Sequence, residues 1–136
     1  MKAADPTRAI TANAPFSIGN AIVDGRRGWF IGHFFAPESG LRHQSELEVK
    51  WGQHRRGERR AGFSKSRCGA TIAVLVSGSF RVEMKLDDRR EKIHLRNAGD
   101  YLVIGPEVPH SWEALEDSLV ISIRFPSVPA SQVELP

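Results

Sequence analysis

The 136 residues, 15.1 kDa in mass, support one domain around one hydrophobic core. Apolar residues at 40% and charged residues at 26% exclude a disordered chain, and no apolar run approaches the roughly 18 residues of a membrane span. The one cysteine, Cys68, excludes an internal disulfide framework and a cysteine-built zinc site; with a start that does not read as a signal peptide, the expected compartment is the cytoplasm.

The net charge is +3, from 19 basic and 16 acidic residues. The excess is partly local, because His54-Arg55-Arg56-Gly57-Glu58-Arg59-Arg60 holds four arginines. Glu58 interrupts that run, and neither helix-turn-helix, zinc-finger nor RNA-sheet spacing accompanies it. It therefore reads as a solvated face, with no nucleic-acid and no membrane partner expected.

The ends, Met1–Asn13 and Ser127–Pro136, are rich in Ala, Pro and Ser and are expected to fray; Pro6–Ala14 has weak helical character. Between them a period of two is punctuated by Gly, Pro, Asp and Asn every 8 to 12 residues, the rhythm of an all-β sandwich or barrel. A strand over Phe16–Val23 should end at Asp24-Gly25, and one over Trp29–Phe35 at Pro37. Glu46–His54 alternates Leu47, Val49 and Trp51 against Glu48, Lys50 and His54. Thr71–Val76 is apolar after its first residue and should be buried on both sides. Ser77-Gly78 breaks it, and Phe80, Val82, Met84 and Leu86 then alternate with charges. Ile93 and Leu95 do the same between turns at Asp87-Asp88 and Asn97–Asp100. Tyr101–Ile104, Ser111–Leu115 and Leu119–Phe125 bring the total to about ten short strands.

The stretch Gly99-Asp-Tyr-Leu-Val-Ile-Gly-Pro-Glu-Val-Pro-His110-Ser-Trp112 resembles the second motif of the cupins: a Gly-Asp turn, an apolar strand, a Pro/Gly turn, then Pro-His. Thr71–Gly78 followed by Ser79–Met84 is similar to the second half of their first motif. The likeness runs from about Val49 to Phe125, and the barrel should span about 45–126. Trp51-Gly-Gln-His54-Arg-Arg-Gly-Glu adds a likeness to small single-domain bacterial cupins. The resemblance implies a double-stranded β-helix, or jelly-roll barrel, of two sheets with a site in its mouth, and a homodimer. It also implies a metal set of three histidines and a glutamate. Counted back from Gly78, the glutamate position holds Thr71. The paired-histidine positions hold Ser64 and Ser66, or Lys65 and Arg67 with the shorter gap. Only His110 matches, so the usual metal site is absent and no cofactor is expected.

His110 is the leading candidate for an acid/base in the barrel mouth, its ring titrating near neutrality. His54 shares a strand face with Lys50 and Gly52. If that face points inward, an ammonium and an imidazole share a pocket suited to an anion or enolate; if outward, Leu47, Val49 and Trp51 form the core. Ser64, Ser66 and Thr71, with Trp51, Tyr101 and Trp112 as aromatic walls, complete the expected small-molecule site. A satisfied core or interface role suits His33, whereas His43 and His94 should face solvent. Two metal alternatives stay open: a divalent ion on His110, His54 and His33, or a wider set that includes His43. Cys68 should be an inert thiol. Three function classes follow: an acid–base isomerase, lyase or cyclase; a metal-dependent enzyme with substitute ligands; or a binding or sensor protein.

Overall fold

The computed structural model describes residues 15–136, so the expectations for Met1–Asn13 and Pro6–Ala14 lie outside the described residues. Ten strands are present among them: β1 (Trp29–Ile31), β2 (Glu48–His54), β3 (Ser64–Ser66), β4 (Ala70–Ser77), β5 (Phe80–Lys85), β6 (Arg90–Leu95), β7 (Tyr101–Ile104), β8 (His110–Ala114), β9 (Ser118–Phe125) and β10 (Gln132–Glu134). They form two five-stranded antiparallel sheets, ordered β1-β2-β9-β4-β7 and β10-β3-β8-β5-β6. This is the all-β jelly-roll barrel of two facing sheets that the resemblance implied. No helix among the described residues is long and apolar enough to cross a membrane.

Leu75, Phe80, Val82, Leu95, Ile104, Ala114 and Val120 are the buried apolar centre between the sheets. The β4–β5 hairpin needs its glycine. Gly78 has φ +98°, and a Cβ there would lie 2.3 Å from the carbonyl oxygen of Asp117.

Several expectations are corrected. Phe16–Val23 is not a strand: its end winds into a short helix, α1 (Ala21–Asp24). The Asn20 side chain accepts from the N–H groups of Ile22 and Val23, and Asp24 reaches back to the N–H of Asn20. This reciprocal capping favours a helical turn over an extended chain. The strand expected over Trp29–Phe35 stops at Ile31, where Gly32 turns the chain by donating to the Arg42 carbonyl and accepting from the N–H of Phe35. Thr71, Ala73 and Leu75 are buried, but the other face of β4 is not, and Val76 is 39% exposed. The C-terminal segment is no loose end: Gln132–Glu134 pairs with β3, and Ser127 is fully buried.

Candidate functional site

β2 resolves the orientation that alternation left open. Glu48 and Gly52 are buried and pair with Arg124 and Val120 of β9, so Glu48, Lys50, Gly52 and His54 face the barrel interior. Across that face β9 contributes Val120, Ser122 and Arg124, and β4 contributes Thr71 and Ala73. From the opposite sheet come His110 and Trp112 of β8 and Ser64 and Ser66 of β3, with Ser64 directly opposite His110. Arg60 donates to Ser64 Oγ and Gln132 to Ser66 Oγ.

The interior is therefore cationic at one end. Lys50 and His110 each feel both the Arg60 and the Arg124 guanidinium. Burial, then the two guanidiniums, holds the Lys50 ammonium below its usual pKa, with Glu58 opposing. Burial and the Lys50 charge lower His54, against the raising effect of Glu58. Burial lowers His110 most, and Arg60 and Arg124 add to it, although the bond to Val108 resists. Arg124 is pushed down by burial and held up by Glu48, whose Oε2 it meets at 3.1 Å. The Trp29 ring lies under Arg124 at 4.3 Å and near Lys50 at 5.8 Å. Among the described residues Lys50 has no carboxylate within salt-bridge distance.

Both imidazoles are poised the same way. His110 Nδ1 lies 3.0 Å from the Val108 carbonyl, which can only accept, so Nδ1 carries the proton and Nε2 the lone pair. His54 Nδ1 lies 3.4 Å from Glu58 Oε2, which assigns its proton likewise. Gly52 makes room for the His54 ring, since a Cβ there would lie 3.0 Å from Nε2. The His54 ring packs on Trp112 at 4.4 Å, and Phe80 backs both. A cavity of about 360 Å³ opens over this end, bordered by Lys50, Gly52, His54, Trp112 and Glu58 and roofed by Ala21 and Ile22 of α1 with Arg27.

The structure thus brings His110, His54, Lys50, Ser64, Ser66, Thr71 and Trp112 to the interior. It does not bring two others. Tyr101 is 67% exposed on the outer face of β7; Trp51 borders the cavity, but it is out of phase with Lys50 and projects from the other face of β2. Sequence reasoning missed Arg60 and Arg124. Arg124 had a signal, because Ser122 and Arg124 break an apolar strand at every second position. Arg60 had none, being one of four arginines in a charged run. His33 is a satisfied histidine: its N–H and Nδ1 both contact Ser127 Oγ, which donates to Glu48. His94 is not a free surface ring, since Ser79 and Arg96 hold it; exposed His43 is bonded to the Phe35 carbonyl.

No protein-family model matches the chain, and no curated protein does. Among solved structures, KdgF from Halomonas sp. is 30% identical, over 63% of this chain and 74% of that one, with a TM-score of 0.53. Oxalate decarboxylase from Bacillus subtilis is 22% identical over 70% of this chain, with a TM-score of 0.59. The chain spans about a quarter of that enzyme, the aligned part being 25% of it. A further structure of the same enzyme, 21% identical with a TM-score of 0.58, concerns its Mn(II) centres.

These neighbours correct the cofactor expectation. A barrel of this fold carries Mn(II) centres, so the likeness gives no ground for expecting a chain without cofactor. The alternative metal set is corrected by geometry: His33 is engaged with Ser127 and Glu48, and no three His, Cys, Asp or Glu side chains converge among the described residues. The residues at the resemblance's ligand positions do not fit a divalent ion. Three are neutral hydroxyls, two of them already hydrogen-bonded by Arg60 and Gln132, and Arg124 sits across from Thr71 where a second cation would be repelled.

Proposed function

The chain belongs by fold to the cupin superfamily, and on that basis we propose that its barrel binds a small organic carboxylate and moves a proton on it, an isomerase-, lyase- or cyclase-type step. One observation carries this reading: Lys50, His54 and Arg124 line the inward face of one sheet opposite His110 of the other, and each imidazole has its Nδ1 engaged, which leaves Nε2 as the base. Glu48 offsets Arg124 and Glu134 meets Arg60 at 3.3 Å, which leaves the Lys50 ammonium as the charge available to a ligand. A carboxylate seated there regains in the pocket what the ammonium lost on burial. The Trp112 ring, with the His54 ring tilted 50° against it, offers an aromatic wall to an unsaturated portion of the ligand.

The chemistry follows from these charges. A C–H beside the carboxylate gives its proton to His110 Nε2, and the bonding pair stays on the ligand as an enolate. Lys50 and the guanidiniums stabilise the added negative charge. The imidazolium then returns the proton to another atom of the same molecule or to a leaving group. Burial holds both imidazoles below their usual pKa, which favours the neutral form a base requires.

The test is a panel of small mono- and dicarboxylates with their neutral amides, titrated by calorimetry and then incubated in D2O. Acids should bind, amides should not, and Lys50→Gln should abolish the difference. Exchange of a ligand C–H for deuterium, seen by NMR and lost in His110→Ala, marks proton transfer; binding without exchange marks a sensor. Equal binding of amides and acids overturns the reading altogether.

A further inference from the structure

The cavity over Lys50 is edged by the turn Arg26–Trp29, and that turn is built around a residue it does not favour. Arg26 and Trp29 exchange both backbone hydrogen bonds, at 2.7 and 2.9 Å, which leaves Arg27 and Gly28 as the two central residues of a tight hairpin. Both have positive φ, +52° at Arg27 and +91° at Gly28. Such a turn selects Asn, Asp or Gly at its first central position, because the backbone crowds a Cβ in the left-handed region. The surroundings explain Gly28. Its carbonyl accepts from the N–H of Trp51 at 2.9 Å, and a Cβ there would run into the Trp51 carbonyl oxygen and press on the Lys50 stem. Nothing in the protein explains Arg27 in the same way. Arg26 beside it donates to the Phe34 carbonyl and lies over the Phe35 ring, whereas the Arg27 guanidinium has neither a hydrogen bond nor an ion pair among the described residues. Arg27 is exposed, and it borders the same cavity as Lys50 and His54 of β2.

We propose that Arg27 is a specificity-determining residue of the barrel: it receives a second carboxylate, so that the ligand is a dicarboxylate with one acid group at Lys50 and the other at the rim. The inference rests on the reading of the interior as a carboxylate site, and it adds the ligand's second charge. Glu58 is the one carboxylate among the residues bordering the cavity. It is already held by His54 and by the N–H of Arg55, so it answers neither cation. The turn also fixes Arg27 relative to Lys50, since Gly28 is bonded to Trp51 and packs on the Lys50 stem. Backbone, and not a loose loop, therefore sets the spacing of the two cations. The cavity they share, about 360 Å³, lies in the size range of small-molecule sites. A backbone conformation that costs stability, on a side chain that satisfies nothing in the protein itself, points to a partner outside the protein. The guanidinium suits a carboxylate in that place, because its planar fork meets the two oxygens with two parallel N–H donors.

Calorimetry on the full chain tests this, with succinate, glutarate and adipate set against their half-amides, which keep a single acid group at the same length. The best dicarboxylate should bind about tenfold more tightly than its half-amide, the gain of one charge-assisted contact. Arg27→Asn should remove that advantage, whereas Lys50→Gln should weaken both ligands. Asparagine suits the left-handed position, so Arg27→Asn should melt at or above the wild-type temperature. That readout separates a residue placed for a ligand from one placed for the fold. Dicarboxylates that bind no better than half-amides overturn the inference while the carboxylate site stands, and so does an advantage that survives Arg27→Asn. An Arg27→Asn protein that melts well below wild type makes Arg27 structural and overturns it too. If no acid binds at all, the carboxylate site falls and this inference falls with it.

Discussion

β2 and β9 of one sheet and β5 and β6 of the other are built from the same alternation, but they are turned opposite ways. In β5, Phe80, Val82 and Met84 face inward and Arg81, Glu83 and Lys85 face water, as the hydrophobic effect alone would arrange them. In β2 and β9 the polar row, Glu48, Lys50, His54, Ser122 and Arg124, faces inward, and Val49, Ile121 and Ile123 face outward. An inverted strand pair costs desolvation on one side and leaves apolar surface wet on the other. Its neighbours must then offset the buried charge: Glu48, held in turn by Ser127, does so for Arg124, and in our reading a ligand does so for Lys50. In our reading the first sheet supplies the buried charges of the site, and the second supplies His110 and Trp112 from β8 beside the plain scaffold of β5 and β6.

The comparison can be broken by substitution. The largest effect should come from His110→Ala, which should lower proton exchange about 10²–10⁴-fold while the β-sheet circular dichroism persists. A variant that retains full exchange and ligand affinity makes His110 structural. Next is a matched pair of arginines. Arg124→Ala strands the Glu48 carboxylate among buried groups and should cost about 3 kcal/mol in urea unfolding. Arg81→Ala removes a half-exposed partner of Glu113 from the scaffold sheet and should cost no more than about 1 kcal/mol. Equal costs would erase the distinction between the two sheets.

Acid should reveal the same asymmetry more gently. His54 and His110 have folded pKa values below the usual 6.5, so the unfolded chain binds protons that the folded one refuses. Stability is therefore full above pH 6.5 and declines as pH falls through the lowered folded values. The decline should shrink in His54→Gln/His110→Gln, whereas a slope below pH 6.5 that is identical in this variant would falsify the linkage. The smallest effect belongs to Cys68→Ser. The thiol is exposed and, among the described residues, its one hydrogen-bond partner is Ser131 at 3.5 Å, so activity and stability should stay within error of wild type.

The scaffold was legible because its strands obey the simple rule. Tyr101–Ile104 stands where alternation and turns put it, and β5 and β6 begin and end at their Gly and Asp signals. The motif from Gly99 to Trp112 located His110, and counting from Gly78 located Thr71, Ser64 and Ser66. All four line the interior. Other parts were hidden for definite reasons. β3 and β10 are three residues long, too short for a period to register, and their pairing joins residues more than sixty positions apart. The Phe16–Val23 segment looked extended by composition, but the Asn20–Asp24 caps decided it locally. Tyr101 was misplaced because an aromatic ring beside a site motif reads as a wall, while its register puts it on the outside. The orientation of β2 could not be read from β2 at all. It depends on Arg124 of β9, whose charge needs Glu48 on the same side of the sheet.

Trp112 gives the site an optical dimension. Its indole lies 4.4 Å from the His54 ring, and protonated imidazole quenches indole emission. Trp29 lies under the Arg124 guanidinium, whose charge does not change over the working pH range, so its emission is a steady background. With the third indole removed in Trp51→Phe, the acid-dependent part of the emission belongs to His54, and a ligand carboxylate beside Lys50, by raising that imidazole's pKa, should shift the quenching toward neutral pH. The cavity thus reports its own occupancy in the ultraviolet, with no label and no knowledge of the ligand's name.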